Sequence, residues 1–187
     1  MINLGEITMS LINQYCIEWH YIQPNTFMYG TILRFNKEGT LFENPLMPSG
    51  TVIHDWHMLT RFDSDKTVPS LPILKKGHYY QMKLNYDVTP EQAAYVKITF
   101  YRKNDTECAS LIVENEIKDF KFPEEAYAYK IELINSGLTS LIFKNIIISE
   151  VDKQYPEQLQ SNDVYENKIK IIDKVLHQSA QISNGDE

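Results

Sequence analysis

A serine and two histidines lie close together in one short stretch of this chain: Ser49, His54 and His57. Such a trio is raw material for nucleophilic catalysis, in which a hydroxyl attacks once an imidazole takes its proton. A hydrolase serine of that kind sits on the strained elbow GxSxG, whereas the local string here is PLMPSGT. The other chemistry on offer is metal binding at HDWH (54–57). Residues three apart on an extended strand project to opposite faces, so zinc would need an irregular backbone and further ligands that no spacing supplies. The whole stretch ENPLMPSGTVIHDW is therefore expected to be a corner between strands. Pro45 keeps Asn44 out of the helical region. Met47-Pro48-Ser49-Gly50 suits a type I turn with proline second and glycine fourth, and TVIHDW then resumes a strand.

No other group of residues assembles a reaction. Glu124-Glu125 and the pair Asp63 and Asp65 fall in turn-like contexts expected at the solvated surface. His20, His78 and His177 stand alone. Cys16 and Cys108 have no CxxC or ligand spacing and are expected as reduced core thiols. Asn104-Asp105-Thr106 fits a glycosylation acceptor pattern, and without a secretion signal it is a chance match. There is no P-loop and no GxGxxG. The expectation is a protein that is not an enzyme, with no catalytic residue, no metal and no cofactor.

Aromatic residues, in contrast, are in surplus. Twelve tyrosines are more than inward-facing positions absorb, because neighbours in a strand point opposite ways: one of Tyr79 and Tyr80 faces out, and one of Phe100 and Tyr101. Exposed rings stack on sugar faces or anchor a protein interface; scattered exposed tyrosines are also common in β proteins. The candidate rings for a partner or a glycan are Tyr79, Tyr95, Tyr101, Tyr127 and Trp19.

The remaining classes are narrowed by charge and hydropathy. A net charge of -7 argues against nucleic acid, since phosphate binding needs a cationic footprint. No Lys/Arg block favours direct attraction to a membrane surface. No segment approaches the roughly 20 apolar residues of a membrane span, and MINLGEITMSLINQYCIEW lacks the basic leader and cleavage site of a secretory signal.

Strands must position these residues. Tyr80, Met82, Leu84 and Tyr86 alternate with polar neighbours, and Val96, Ile98 and Phe100 do the same. Tyr127, Tyr129, Ile131 and Leu133 are expected on one face. In SLIFKNIIISEV, Ile142, Ile146 and Ile148 oppose Leu141, Phe143 and Ile147. MYGTILRF (28–35), TVIHDW (51–56) and ECASLIVE (107–114) complete the set. Turn signals between the runs, with no long helical pattern among them, predict an all-β antiparallel sandwich over residues 1–152. Residues 153–187 are expected to form a polar linker, an amphipathic helix with Tyr165, Ile169, Ile172 and Leu176 on its stripe, and a frayed end. That helix is expected to pack on its own sandwich or on another protein, the alternative being a disordered tail.

Two resemblances follow. Residues 68–150 resemble, by running order of residue types, jelly-roll carbohydrate-binding modules. A tighter set comprises Trp19, Tyr29-Gly30, Phe42 with Asn44, Met47-Pro48-Ser49-Gly50, Trp56, Leu71-Pro72, Leu74, Gly77, Tyr80, Phe100 and LINSG at 133–137. It resembles the third and smallest accessory secretory protein of the accessory Sec system of Gram-positive bacteria. The resemblance implies a cytosolic, non-enzymatic partner of two larger accessory secretory proteins, peripheral to the membrane through them. The trio assists export of a glycosylated serine-rich repeat adhesin through a SecA-type motor. In that reading the motif residues Tyr29, Gly30, Asn44, Pro48, Ser49, Gly50, Trp56, Leu71, Pro72, Gly77 and Tyr80 are mainly structural, and the alternative role is direct recognition of N-acetylglucosamine-type glycans.

Overall fold

The computed structural model describes residues 11–61 and 67–151. The expected C-terminal linker and helix lie outside the described residues, as do Asp63, Asp65 and His177. Among the described residues ten strands run in chain order: β1 (Leu11–Ile17), β2 (Ile32–Asn36), β3 (Gly39–Glu43), β4 (Val52–His57), β5 (Tyr79–Thr89), β6 (Ala94–Tyr101), β7 (Glu107–Val113), β8 (Ile117–Lys121), β9 (Ala128–Asn135) and β10 (Ser140–Val151). Every pairing is antiparallel. One sheet has the order β2-β3-β10-β5-β8, with β1 joining the far half of β10; the other has the order β4-β9-β6-β7.

Alternation explains which side chains the two sheets bury between them. Tyr80, Met82 and Leu84 of β5, Val96, Ile98 and Phe100 of β6, and Tyr129, Ile131 and Leu133 of β9 are all buried in one continuous core. The expected face of β10 is wrong at its first half. Leu141 and Phe143 point inward and Ile142 is exposed, yet Ile146 and Ile148 are buried. A register shift between Phe143 and Asn145 inserts one extra residue, and an odd insertion exchanges the faces. Tyr127 likewise departs from its expected face. It precedes β9 and is about half exposed. The expected strand at 28–35 starts only at Ile32, because the Thr31 amide donates to Met28 O and Gly30 takes φ +68.

Two aromatic groups fill the core. Phe100, Phe120, Phe122, Tyr129 and Tyr80 form one. In the other, the Trp19 ring stacks on His54 at 4.5 Å, His54 meets Trp56 edge-on at 4.7 Å, and Trp56 stacks on Phe143 at 5.1 Å. Trp19 is only 2% exposed. It therefore has no face to offer a partner or a glycan, contrary to expectation. Cys16 is exposed rather than buried, and Cys108 is half-buried; both are free.

Candidate functional site

The corner at 43–51 is built by two successive turns, not one. The Met47 amide donates to Asn44 O, so Pro45 takes the second position of the first turn. The Thr51 amide then donates to Pro48 O, which places Gly50 third, with φ +83. That is a type II arrangement, and it is the third position that demands glycine. The expected type I turn over 47–50 is thereby displaced by one residue and changed in type.

Two buried asparagines clamp these turns. Asn44 Nδ2 donates to Tyr29 O at 2.9 Å and to Thr31 Oγ1 at 3.0 Å, while its Oδ1 accepts from the Leu46 amide. Asn135 Nδ2 donates to Met47 O and Pro48 O, and its Oδ1 accepts from the amides of Gly137 and Leu138. Each amide group uses both its donor and acceptor capacity on loop groups, all of them backbone except the Thr31 hydroxyl. What they hold is a platform at the open end of the β2–β3 hairpin. On it Tyr29 is 89% exposed and Leu46 90% exposed. Tyr29 is expected as structural, and its carbonyl is, whereas its side chain is exposed. Leu46 carried no sequence signal, since a lone leucine between Pro45 and Met47 has no periodicity to mark it.

Catalysis finds no geometry at this corner. Ser49 is exposed, whereas the His54 ring lies in the core with Nδ1 2.8 Å from Thr26 Oγ1. The same hydroxyl accepts the Gln23 amide proton, so the His54 ring is tied to the turn at 23–26. Burial drives the His54 pKa down to about 3, and the ring is neutral. His57 turns to the opposite face, where Nε2 approaches Asp55 Oδ2 at 3.0 Å, off the line of a hydrogen bond. Burial alone would raise the Asp55 carboxyl, but His57 and the Asn25 amide outweigh it and hold it below the usual carboxylate range. Among the described residues no three His, Cys, Asp or Glu side chains converge as metal ligands.

The remaining motif residues hold the approach to β5. Leu71 is buried and its amide donates to His57 O. Pro72 O accepts from the Tyr129 hydroxyl, the Lys75 amide donates to the Tyr80 phenol oxygen, and the Gly77 amide donates to Phe122 O.

Of the candidate rings, two come together. Tyr101 and Tyr127 line an open groove of about 610 Å³ with His57, Arg61, Lys103 and Lys130, and the Tyr127 amide donates to Tyr101 O. On its rim Arg61 pairs with Asp105 at 2.8 Å. Burial would lower the Lys130 ammonium, but Glu132 at 2.7 Å more than offsets this and keeps it charged. Tyr95 sits at the other end of β6 beside Glu114 and Asn115. Tyr79 is half-buried with Lys121 Nζ 5.7 Å from its ring centre. These two rings belong to neither place.

No helix among the described residues is long and apolar enough to cross a membrane. An accessory Sec system protein of Staphylococcus aureus is 43% identical over 145 residues, which are 78% of this chain and 46% of that protein; the chain thus spans less than half that relative's length. A chain in the crystal structure of accessory secretory protein 1, 2 and 3 in Streptococcus pneumoniae superposes with TM-score 0.68 at 32% identity, covering 75% of this chain and 99% of that one. A chain of the Glycosylation Associate Protein complex from Streptococcus agalactiae gives TM-score 0.70 at 30% identity, over 79% of this chain and 49% of its own. Residues 26–150 match the family model described as Accessory Sec secretory system ASP3, and this chain belongs to that family.

Proposed function

We propose that the chain is a non-enzymatic scaffold of the accessory Sec complex. It holds the two larger accessory secretory proteins together on the cytoplasmic side of the membrane and so assists export of a glycosylated serine-rich repeat adhesin by a SecA-type motor. The observation that carries this reading is the Tyr29 and Leu46 platform: two large apolar side chains, almost wholly in water, on a backbone fixed by buried Asn44. Apolar anchors on a prearranged frame are what an interface core needs, because little ordering entropy remains to be lost on binding. The occurrence of a relative in one crystal structure with accessory secretory proteins 1 and 2 supports the same partners here. The test is co-purification of the three proteins. The wild-type chain should be recovered with both, and the double substitution Tyr29→Ala with Leu46→Ala should weaken recovery at least tenfold. Recovery of the wild-type chain alone, with both partners present, would overturn the reading.

A second reading follows from the groove. In a jelly-roll of the carbohydrate-binding-module type, Tyr101 and Tyr127 would stack on an N-acetylglucosamine-type ring while His57, Arg61 and Lys130 meet its hydroxyls. Shallow stacking of this kind gives millimolar affinity, about 4 kcal/mol. Titration with glycosylated and bare adhesin repeats distinguishes the cases. Equal binding to both, or binding untouched by Tyr127→Ala, removes the glycan role.

A further inference from the structure

The outer edge of β2, which pairs with no other strand among the described residues, differs from the other sheet edges. The edge of β1 is broken by an irregularity between Leu11 and Gln14. β4 is partly covered, since the Phe27 amide donates to Ile53 O. β7 meets a bulge opposite Phe100 and Tyr101, and β8 carries Lys118, Asp119 and Lys121 within five residues. These are the ordinary devices that stop strands from adding to an exposed edge. β2 has none of them among the described residues. It runs in unbroken register with β3 through five pairs, from Ile32↔Glu43 to Asn36↔Gly39, and holds no proline and one charge, Arg34. Ile32 and Phe35 are each nearly half exposed.

We propose that β2 accepts an added strand from one of the two larger accessory proteins, extending the sheet outward from the Tyr29 and Leu46 platform. This rests on the scaffold reading and says how the contact is made. Tyr29 and Leu46 are almost wholly exposed, and Ile32 and Phe35, three apart on the strand, expose apolar surface on opposite faces of this edge. A strand laid along β2 would cover apolar surface on both faces and add main-chain hydrogen bonds. The chemistry of the incoming strand is set by what it meets: apolar residues over Ile32 and Phe35, and an acidic residue beside Arg34, which has no ion-pair partner among the described residues.

Hydrogen exchange on the full-length chain, alone and assembled with the two larger proteins, tests this. At least two amides of residues 32–36 should exchange fast in the lone chain and more than tenfold slower in the assembly. Arg34→Glu, which leaves the core untouched, should weaken assembly roughly tenfold while thermal stability stays at the wild-type value. If the complex forms while those amides still exchange as in the lone chain, the edge proposal falls and the scaffold reading stands. If they are already slow in the lone chain, the edge is covered by this chain or by a second copy, and the proposal is overturned. If the wild-type chain binds neither protein, both fall together.

Discussion

Two regions of this molecule use a buried polar side chain among aromatic and apolar neighbours, to opposite ends. In the core, His54 is wedged between Trp19 and Trp56 with one hydrogen bond, to Thr26. At the corner, Asn44 is as deeply buried but makes three bonds, all to loop groups. The histidine serves as a planar filler whose polarity is tolerated; packing carries the energy there. The asparagine serves as a set of donors and acceptors, and the packing it organises lies outside, as Tyr29 and Leu46 in water. One region spends its rings on stability and the other keeps a ring for a partner. The two regions should respond differently to perturbation.

The largest effect is expected where packing dominates. Trp56→Ala removes a ring stacked on Phe143 and edge-on to His54 in a site 1% exposed. It should cost about 3–5 kcal/mol, a large share of the stability of a domain this size. Urea denaturation measures it; a loss below about 1 kcal/mol would mean that the core around His54 is not the tight assembly described. At the corner, Asn44→Ala should cost less, about 1–3 kcal/mol, because it leaves Tyr29 O, Thr31 Oγ1 and the Leu46 amide without that partner. Its mark should be specific: partner binding should fall further than the stability loss explains, since the platform loses its frame.

How far each region could be read in the sequence follows from its physics. The strands of the core announce themselves, because β5, β6 and β9 bury every second residue and Tyr80, Met82, Ile98 and Ile131 fall on that beat. β10 is legible as a strand, but the facing of its first half is not, because one extra residue near Lys144 reverses the beat midway. β3 and β8 are only five residues each, and LINQYCI of β1 and IKDFK of β8 show no clean alternation. Trp19 looked available for binding because nothing in its own neighbourhood reveals that His54, 35 positions on, covers its face. The corner was legible as a corner from its prolines and glycine, but its function was not. Tyr29 and Leu46 become a pair only through Asn44, and a side-chain amide bonded across 15 residues leaves no periodic trace.

Acid sharpens the comparison further. The His54 pKa falls from about 6.5 to about 3 on folding, through burial above all. A lowered value means that the unfolded chain takes up the proton first. The stability that neutral His54 permits is therefore complete above pH 6.5 and is lost progressively as the pH falls towards 3. At about 1.4 kcal/mol per pH unit, the loss by pH 5 is about 2 kcal/mol. Asp55, held below its ordinary value, adds a further loss only as the pH falls below the usual carboxylate range. Denaturation at pH 7.5 and pH 5 should show this slope in the wild-type chain and a flatter one in His54→Gln. Equal slopes would mean that the His54 proton does not govern it.

The smallest effect on stability should come from the most exposed side chains. Tyr29→Ala with Leu46→Ala removes groups that are about nine-tenths in water and leaves every hydrogen bond of Asn44 in place, because those bonds run to Tyr29 O, Thr31 Oγ1 and the Leu46 amide. Surface changes of this kind stay within about 0.5 kcal/mol. The double variant should thus melt with the wild-type chain while losing its hold on partners. That is the reverse of Trp56→Ala, whose surviving folded fraction should bind normally. If the double variant instead melts several degrees lower, Tyr29 and Leu46 pack on the chain itself. The distinction between a ring spent on stability and a ring kept for a partner would then fail at the corner.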